Sequence, residues 1–125
     1  MRILLDTNIV LWAMSDSSKL SKTARREIEQ ASAVLVSAAS IWEIAIKVAL
    51  GKLTVDIDEL VALLADAGFE SLPVTWKHAQ RVHALPHHHR DPFDRMLVCQ
   101  AISEPLRLVT SDRQLAPYSD LVFVV

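Results

Sequence analysis

The stretch that decides the fold is Arg2-Ile3-Leu4-Leu5-Asp6-Thr7-Asn8, an apolar run that ends in a carboxylate. A short apolar run without polar alternation is typical of a strand that is buried on both faces of a parallel sheet. Further strands are predicted at residues 33–37, 69–74, 107–110 and 122–125. Because helical patterns separate these runs, the sequence predicts a three-layer α/β domain, with a central, mostly parallel sheet of four or five strands flanked by helices.

Length and composition fit one domain over residues 1–125, with 51% hydrophobic and 22% charged residues. The 13 Lys and Arg residues against 15 Asp and Glu residues give a net charge of -2, so any contact with nucleic acid must be local. The single cysteine, Cys99, excludes an internal disulfide and a thiolate zinc cluster. No apolar run suits a signal peptide or a membrane span, and we therefore expect a cytoplasmic protein without membrane contact.

Capping residues mark the predicted helix boundaries. Helices are expected to start after Ser21, at Ser40, after Asp56, at about Thr75 and after Asp91, and Gly51 and Gly68 are expected to end two of them. The helix after Asp91 has Pro92 at its first position and is apolar nearly all round, so it should lie centrally, with Cys99 as an inert core residue.

Four acidic residues are predicted to meet at one edge of the sheet. Asp6 and Asp112 follow predicted strands, while Glu43 and Asp94 lie near the starts of helices that begin at the same edge. Parallel α/β sheets bind ligands outside the carboxyl ends of their strands. Each acid also has an ordinary interpretation: Asp6, Asp112 and Asp94 as helix caps, and Glu43 as the partner of Lys47 four residues later.

Electrostatics favours a cation among these acids. Two carboxylates about 5 Å apart repel each other by roughly 3 kcal/mol at an effective dielectric constant near 20. Ligation by carboxylates and water is what Mg²⁺ and Mn²⁺ prefer, and such ions activate water against phosphodiesters. The sequence therefore predicts a divalent-metal site.

Four motifs together resemble a known family: Leu4-Leu5-Asp6-Thr7-Asn8, Ser40-x-x-Glu43, Asp91-Pro92-Phe93-Asp94-Arg95-Met96-Leu97 and Leu108-Val109-Thr110-Ser111-Asp112. Their order and spacing resemble a PIN-domain ribonuclease, and specifically a VapC-type toxin of a bacterial or archaeal toxin-antitoxin pair. The resemblance covers almost the whole chain.

The resemblance implies Mg²⁺- or Mn²⁺-dependent endonucleolytic cleavage of RNA. Asp6 and Asp94 match direct metal ligands, Glu43 would bind or orient the metal's water, and Asp112 would act directly or through water. Supporting positions around the site are matched by Asn8, Asp91, Thr110 and Ser111, although Asp91 is first a helix cap. The resemblance also implies a homodimer and a small antitoxin that wraps the toxin and can place a basic side chain in the acidic pocket.

Other residues near these motifs have two interpretations each. Candidate RNA-phosphate contacts are Arg90, Arg95 and Arg113, which could instead pair with the acids. His87, His88 and His89 cannot all face one ion, and a solvated loop near the site is expected. The three tryptophans are expected mainly in the core, with interface contact or base stacking as the alternative: Trp12, Trp42 and Trp76.

Two other classes of protein begin with a strand that ends in Asp. A phosphoryl-transfer domain of the haloacid dehalogenase type expects a second Asp two residues after the first, where this chain has Asn8. A receiver or non-catalytic binding module would use the acids only as caps, and a receiver expects paired acids after the first strand and a Lys after a late strand. Thr110-Ser111 offers no such Lys.

Overall fold

A computed structural model describes all 125 residues and contains one five-stranded sheet. The central strand β1 (Arg2–Leu5) pairs in parallel with β2 (Ala33–Ser37) on one side and with β4 (Arg107–Thr110) on the other. The edge strands are β3 (Glu70–Leu72), parallel to β2, and β5 (Val122–Val124), parallel to β4. The order β3-β2-β1-β4-β5 confirms the predicted parallel sheet and places the end of β1 in the middle of its carboxyl edge.

Six α-helices connect the strands: α1 (Thr7–Met14), α2 (Lys22–Gln30), α3 (Ala38–Ala49), α4 (Ile57–Asp66), α5 (Trp76–Arg81) and α6 (Pro92–Ser103). The chain also contains two 3₁₀ segments: Val82–Ala84 directly follows α5, and Arg113–Tyr118 lies between β4 and β5. The predicted N-caps Ser21, Asp56, Thr75 and Asp91 are confirmed, since each side chain accepts a backbone N–H of its helix. None of the helices has the length and apolar character that a membrane crossing requires.

The predicted start of α3 is wrong by two residues. The hydroxyl of Ser37, the last residue of β2, accepts the N–H of Ala39 at 3.0 Å, so the helix begins directly after the strand and Ser40 lies in its first turn. Glu43 therefore sits in the second turn of α3. Gly51 and Gly68 follow α3 and α4, as predicted, and their φ angles of 70° and 82° are in the left-handed region that commonly ends helices.

The core lies on both faces of the sheet, as the unbroken apolar runs predict. Ile3 and Leu5 of β1 pack on one face with α1, α2, α3 and α4, while Leu4 packs on the other with α6. Every side chain of β1 after Arg2 is buried. The central strand is thus fixed from both sides, and so is the direction in which Asp6 leaves it. Cys99 is buried in α6, and burial raises the pKa of its thiol, so it is the inert core residue that was predicted.

A buried histidine joins α5 to α6. His78 is only 1% exposed, its Nδ1 accepts the N–H of Thr75 at 3.1 Å, and its Nε2 lies 2.6 Å from the carboxylate of Glu104. Because Nδ1 is an acceptor, the ring proton is on Nε2 and is donated to Glu104. This contact fixes α5 beside the helix that carries Asp94.

Replacing His78 by Ala should lower the free energy of unfolding by roughly 3 kcal/mol, because it opens a cavity and leaves the partners of the ring without hydrogen bonds. Urea denaturation measures the change. His83→Ala is the matched control, since His83 is exposed and its loss should have little effect. Equal stability of the two variants would contradict the structural role given to His78.

Candidate active site

The four acids singled out in the sequence line one cavity of about 130 Å³ at the carboxyl edge of the sheet. None of the nine lining residues is hydrophobic: Asp6, Thr7, Asn8, Glu43, Lys47, Asp91, Asp94, Ser111 and Asp112. Five carboxylates thus share the cavity with one ammonium group. The structure brings the predicted acids together, whatever their chemical roles.

Asp6 is held at the end of β1 by its backbone and by its side chain. Its N–H donates to the carbonyl of Val109 at 2.9 Å, and one carboxylate oxygen accepts the Thr110 hydroxyl at 2.6 Å while the other accepts the N–H of Thr7 at 2.7 Å. Burial raises the pKa of this carboxyl group, the two hydrogen bonds oppose that rise, and the charges of Glu43 and Asp112 add to it. Asp6 caps α1 and lines the site at the same time.

Glu43 is buried, and its two carboxylate oxygens have different surroundings. One lies 3.2 Å from the ammonium nitrogen of Lys47, whose side chain is 46% exposed. The other, Oε1, is buried without any hydrogen-bond partner. One turn before Glu43 on α3, the Ser40 hydroxyl accepts a hydrogen bond from the Thr7 hydroxyl at 3.0 Å, which connects the start of α1 to α3. The predicted Glu43–Lys47 pair exists, but it satisfies only half of the carboxylate.

The Asp91 and Asp94 carboxylates divide the tasks of capping and lining the cavity. Asp91 accepts the N–H groups of Phe93 and Asp94 at 2.8 and 3.1 Å, which confirms it as the cap of α6. Asp94 is freed from that task and faces the cavity. Burial raises the pKa of Asp94 to about 7, with further contributions from the charges of Asp6 and Asp91.

Asp112 combines both tasks. One oxygen accepts the N–H of Gln114 at 2.9 Å and caps the 3₁₀ segment, and its backbone N–H donates to the Thr110 hydroxyl at 3.0 Å. Thr110 therefore connects Asp112 to Asp6. Asn8 and Ser111 line the cavity wall and are exposed, and their supporting role stays a prediction.

His89 belongs to this site, which the sequence interpretation missed. Its Nε2 lies 3.0 Å from the second oxygen of Asp112 and 3.2 Å from Asp94. The expected solvated loop is right for the exposed His87 and His88 and wrong for His89. Its position two residues before the Asp91 cap is the one signal in the sequence that separates it from its neighbours.

The expectation that Arg95 contacts RNA is corrected by its burial. Arg95 is 7% exposed, and its guanidinium donates to the carbonyls of Pro86 and Leu85 at 2.8 and 3.2 Å and to the Tyr118 hydroxyl at 3.1 Å. Arg95 therefore holds the loop of residues 85–90, which contains the three consecutive histidines, against α6. Arg90 and Arg113 are exposed, as a phosphate contact requires.

The tryptophans divide in a way that the sequence did not predict. Trp12 is partly buried and packs against the core, as expected. Trp42 is 63% exposed and Trp76 is 94% exposed, so the core assignment is wrong for both. Trp42 lies beside the site, with its ring 5.2 Å from that of Phe93 in an edge-on arrangement. Composition alone favours burial of tryptophan, but the core faces of α3 and α5 are filled by other residues.

The donor set fits a divalent cation. The Oε1 of Glu43 is buried without a hydrogen-bond partner in the protein, and an ion or an ordered water is a common explanation for such an atom at a polar cavity. The only ammonium group in the cavity, that of Lys47, contacts the other oxygen of the same carboxylate. Carboxylate oxygens are hard ligands that suit Mg²⁺ and Mn²⁺. Asp6, Asp94, Glu43 and Asp112 could all contribute.

The fold and the site together define an α/β domain with an acidic cavity at the carboxyl edge of a parallel sheet. The sequence model of the PIN domain matches residues 3–121. A Mycobacterium tuberculosis protein named Ribonuclease VapC22 is 32% identical over 115 residues, which cover 90% of this chain and 88% of the relative. The chain belongs to the PIN domain family. This membership decides against the haloacid dehalogenase and receiver alternatives.

Solved structures with the same fold include a member of the VapBC family of toxin-antitoxin systems. One of the solved structures is VapBC2 from Rickettsia felis, bound to a DNA fragment from its promoter. It aligns with a TM-score of 0.71 at 16% sequence identity, and the alignment covers 100% of this chain and 98% of that chain. VapBC-5 from Mycobacterium tuberculosis aligns with a TM-score of 0.63 at 23% identity, covering 99% and 97%. At these identities the likeness shows the fold.

Replacing Arg95 by Ala should lower the free energy of unfolding by about 2 to 4 kcal/mol, because several carbonyls lose a charged donor. Thermal melts measure the loss. Arg113→Ala is the control and should melt as the parent protein does, since Arg113 is exposed. A stable Arg95→Ala variant with weakened RNA binding would instead restore the RNA-contact interpretation.

The stability of the metal-free protein should depend on pH through Asp94. The pKa of this carboxyl group is about 7 in the folded protein against an ordinary value of 3.8, so between these values the folded state binds more protons than the unfolded state. The stability that the protonated carboxyl group contributes is complete below pH 3.8 and is lost as the pH rises through about 7. Relative to Asp94→Asn, the parent protein should therefore lose a few degrees of Tm as the pH rises from about 4 to 7. Melts in EDTA measure this, and a constant difference in Tm between the two proteins would refute it.

Proposed function

We propose that this chain is a metal-dependent endoribonuclease and acts as the toxin of a type II toxin-antitoxin module. The observation that carries the proposal is the convergence of Asp6, Glu43, Asp94 and Asp112, from four separate segments, on one polar cavity. Membership of the PIN domain family and the likeness to a protein named as a ribonuclease support it. Caps alone would not require four segments to present acids to the same cavity.

The acids have different tasks in this proposal. Asp6 and Asp94 hold the cation directly, Glu43 binds it or orients its water through the unpartnered Oε1, and Asp112 acts directly or through water. A bound Mg²⁺ or Mn²⁺ supplies an activated water and stabilises charge on the phosphodiester. The Thr110 hydroxyl orients Asp6 by donating to its carboxylate. The same hydroxyl accepts the backbone N–H of Asp112 and so keeps Asp112 close to Asp6. Asn8, Asp91 and Ser111 complete the polar wall.

Cations at the rim give the local basic footprint that the whole-chain charge lacks. Arg90 lines a wider cavity with the three loop histidines, next to the acids, and Arg113 follows Asp112 directly. Both side chains are exposed and can contact RNA phosphates. Lys47, already beside Glu43, lies within the cavity itself and can approach the scissile phosphate.

The proposal includes an antitoxin and a second copy of the chain. The similar structure VapBC-5 belongs to a family of toxin-antitoxin systems, and such a partnership is proposed here for this chain. Large hydrophobic residues such as Trp42, Leu50, Val61 and Trp76 are exposed and supply apolar surface for such contacts. A basic antitoxin side chain would fit the acidic cavity. The single cysteine, buried and free, suits a cytoplasmic location.

Asp6→Asn and Asp94→Asn should each abolish RNA cleavage while the protein stays folded, because the amide keeps the size of the carboxylate and removes its charge. The measurement is cleavage of total RNA in Mg²⁺ or Mn²⁺, with an EDTA arm, and growth arrest on expression. Both variants should lose at least about a hundredfold in rate, a loss typical of removing charge that stabilises a transition state.

The matched control is Asp66→Asn, which removes an exposed carboxylate at the end of α4, outside the cavity. It should cleave RNA at the parental rate. Full cleavage by both Asp6→Asn and Asp94→Asn, or cleavage that persists in EDTA, would refute the proposal.

A further inference from the structure

His89 lies between two carboxylates that different segments supply. Its Nε2 is 3.0 Å from Asp112, which follows β4, and 3.2 Å from Asp94, which lies on α6. The three ligand atoms are within 4.8 Å of one another, a spacing that also suits a metal ion bound by all three residues. His89 could therefore donate a hydrogen bond to the carboxylates or bind a metal ion together with them. Which ring nitrogen carries the proton decides between these two roles.

The hydrogen bonds at the other ring nitrogen fix the tautomer of His89. Nδ1 accepts the backbone N–H of Arg90 at 2.8 Å and that of Asp91 at 3.3 Å. A nitrogen that accepts two N–H groups carries no proton, so the proton of the neutral ring is on Nε2. That N–H donates to Asp112, and an oxygen of Asp94 lies 3.2 Å from the same nitrogen.

A protonated Nε2 has no lone pair to offer a metal ion. Direct ligation by His89 would require the proton to move to Nδ1, where it would face the N–H groups of Arg90 and Asp91. The backbone at the start of α6 therefore favours His89 as a donor to the carboxylates over His89 as a ligand.

We propose that His89 is a positioning residue: its N–H, donated to Asp112 and lying beside Asp94, holds these two carboxylates at the spacing that a divalent cation requires. This inference rests on the proposed metal-dependent function. Carboxylates whose oxygens lie within 4.8 Å of each other repel, and the partial positive charge of an N–H beside both of them offsets part of that repulsion.

The loop around His89 is built to keep the ring in place. The N–H of His89 donates to the Tyr118 hydroxyl at 2.8 Å, and the same hydroxyl accepts the guanidinium of Arg95 at 3.1 Å. Arg95 also binds the carbonyl of Pro86 at 2.8 Å. The loop is thus fixed on both sides of the site, to α6 and to the 3₁₀ segment after Asp112.

The test is cation binding by the full chain without RNA. His89→Ala should weaken Mn²⁺ binding by at least about tenfold, the usual cost of losing a group that orients a metal ligand. His89→Gln, which keeps an N–H donor, should recover part of this affinity. Calorimetric titration of metal-free protein gives the dissociation constants. His87→Ala is the control and should bind as the parent does, because His87 is exposed and its side chain forms no hydrogen bond in the structure.

Three results would overturn the inference. One is Mn²⁺ binding by His89→Ala that equals the parent's or exceeds it, since a ring that only competes with the cation would tighten binding when removed. Another is no recovery in His89→Gln. The third is a loss of Zn²⁺ affinity in His89→Ala that far exceeds the loss of Mn²⁺ affinity, because Zn²⁺ favours imidazole and such a difference indicates direct ligation.

A second measurement covers the case in which His89→Ala does not fold. Nitrogen-15 NMR of the histidine rings of the metal-free parent protein reports the tautomer, and the Nε2–H form is expected for His89. Finding the proton on Nδ1 would overturn the inference without any variant.

RNA cleavage measured in parallel separates this inference from the proposed function. A parent protein that binds Mn²⁺ through a His89-dependent site but cuts no RNA would refute the nuclease and leave the positioning role. An active nuclease whose Mn²⁺ affinity is indifferent to His89 would refute the positioning role alone.

Discussion

The carboxylate of Asp6, buried at the end of the central strand, is the group around which the site is arranged. Burial opposes its charge, and the Thr110 hydroxyl at 2.6 Å together with the N–H of Thr7 at 2.7 Å compensates in part. The contact with Thr110 is possible only because β1 and β4 are neighbours in register, with Leu5 opposite Val109. The parallel sheet is thus a precondition of the chemistry, and a slip of one residue between the strands would take Thr110 away from Asp6.

The same local structure serves the fold and the site together. Asp6, Asp91 and Asp112 each cap a helical segment with one oxygen, which fixes where the rest of the side chain lies. The interpretation of the acids as caps and their interpretation as site residues are therefore not alternatives. A cap held by backbone N–H groups is a rigid mount, and rigid carboxylates meet a cation with little loss of side-chain entropy on binding.

Much of this arrangement could be predicted from periodicity and capping. The apolar runs predicted the strands, and the rule for carboxyl ends placed Asp6, Glu43, Asp94 and Asp112 at one edge. The sequence could not predict the roles of His89 and Arg95, because backbone N–H and carbonyl groups place much of each side chain, and such groups leave little signal in the types of the partner residues. The exposure of Trp42 and Trp76 was also out of reach, since residue type reports the cost of exposing a side chain and not whether a surface is available to cover it.

The carboxylates of the cavity have hydrogen-bond and ion-pair partners of different kinds, and together these partners do not neutralise the negative charge of the cavity. Asp6 has a hydroxyl and an N–H, and Glu43 has the ammonium of Lys47 on one oxygen. Asp112 has the N–H of His89, whose Nε2 also lies 3.2 Å from Asp94. Neutral donors orient a carboxylate without cancelling its charge, so Lys47 alone leaves the cavity negative. The pKa of Asp94 is raised by burial and then by that remaining charge, and the Oε1 of Glu43 has no hydrogen-bond partner. A divalent cation would address both, because it supplies the missing partner and favours the ionised carboxylates.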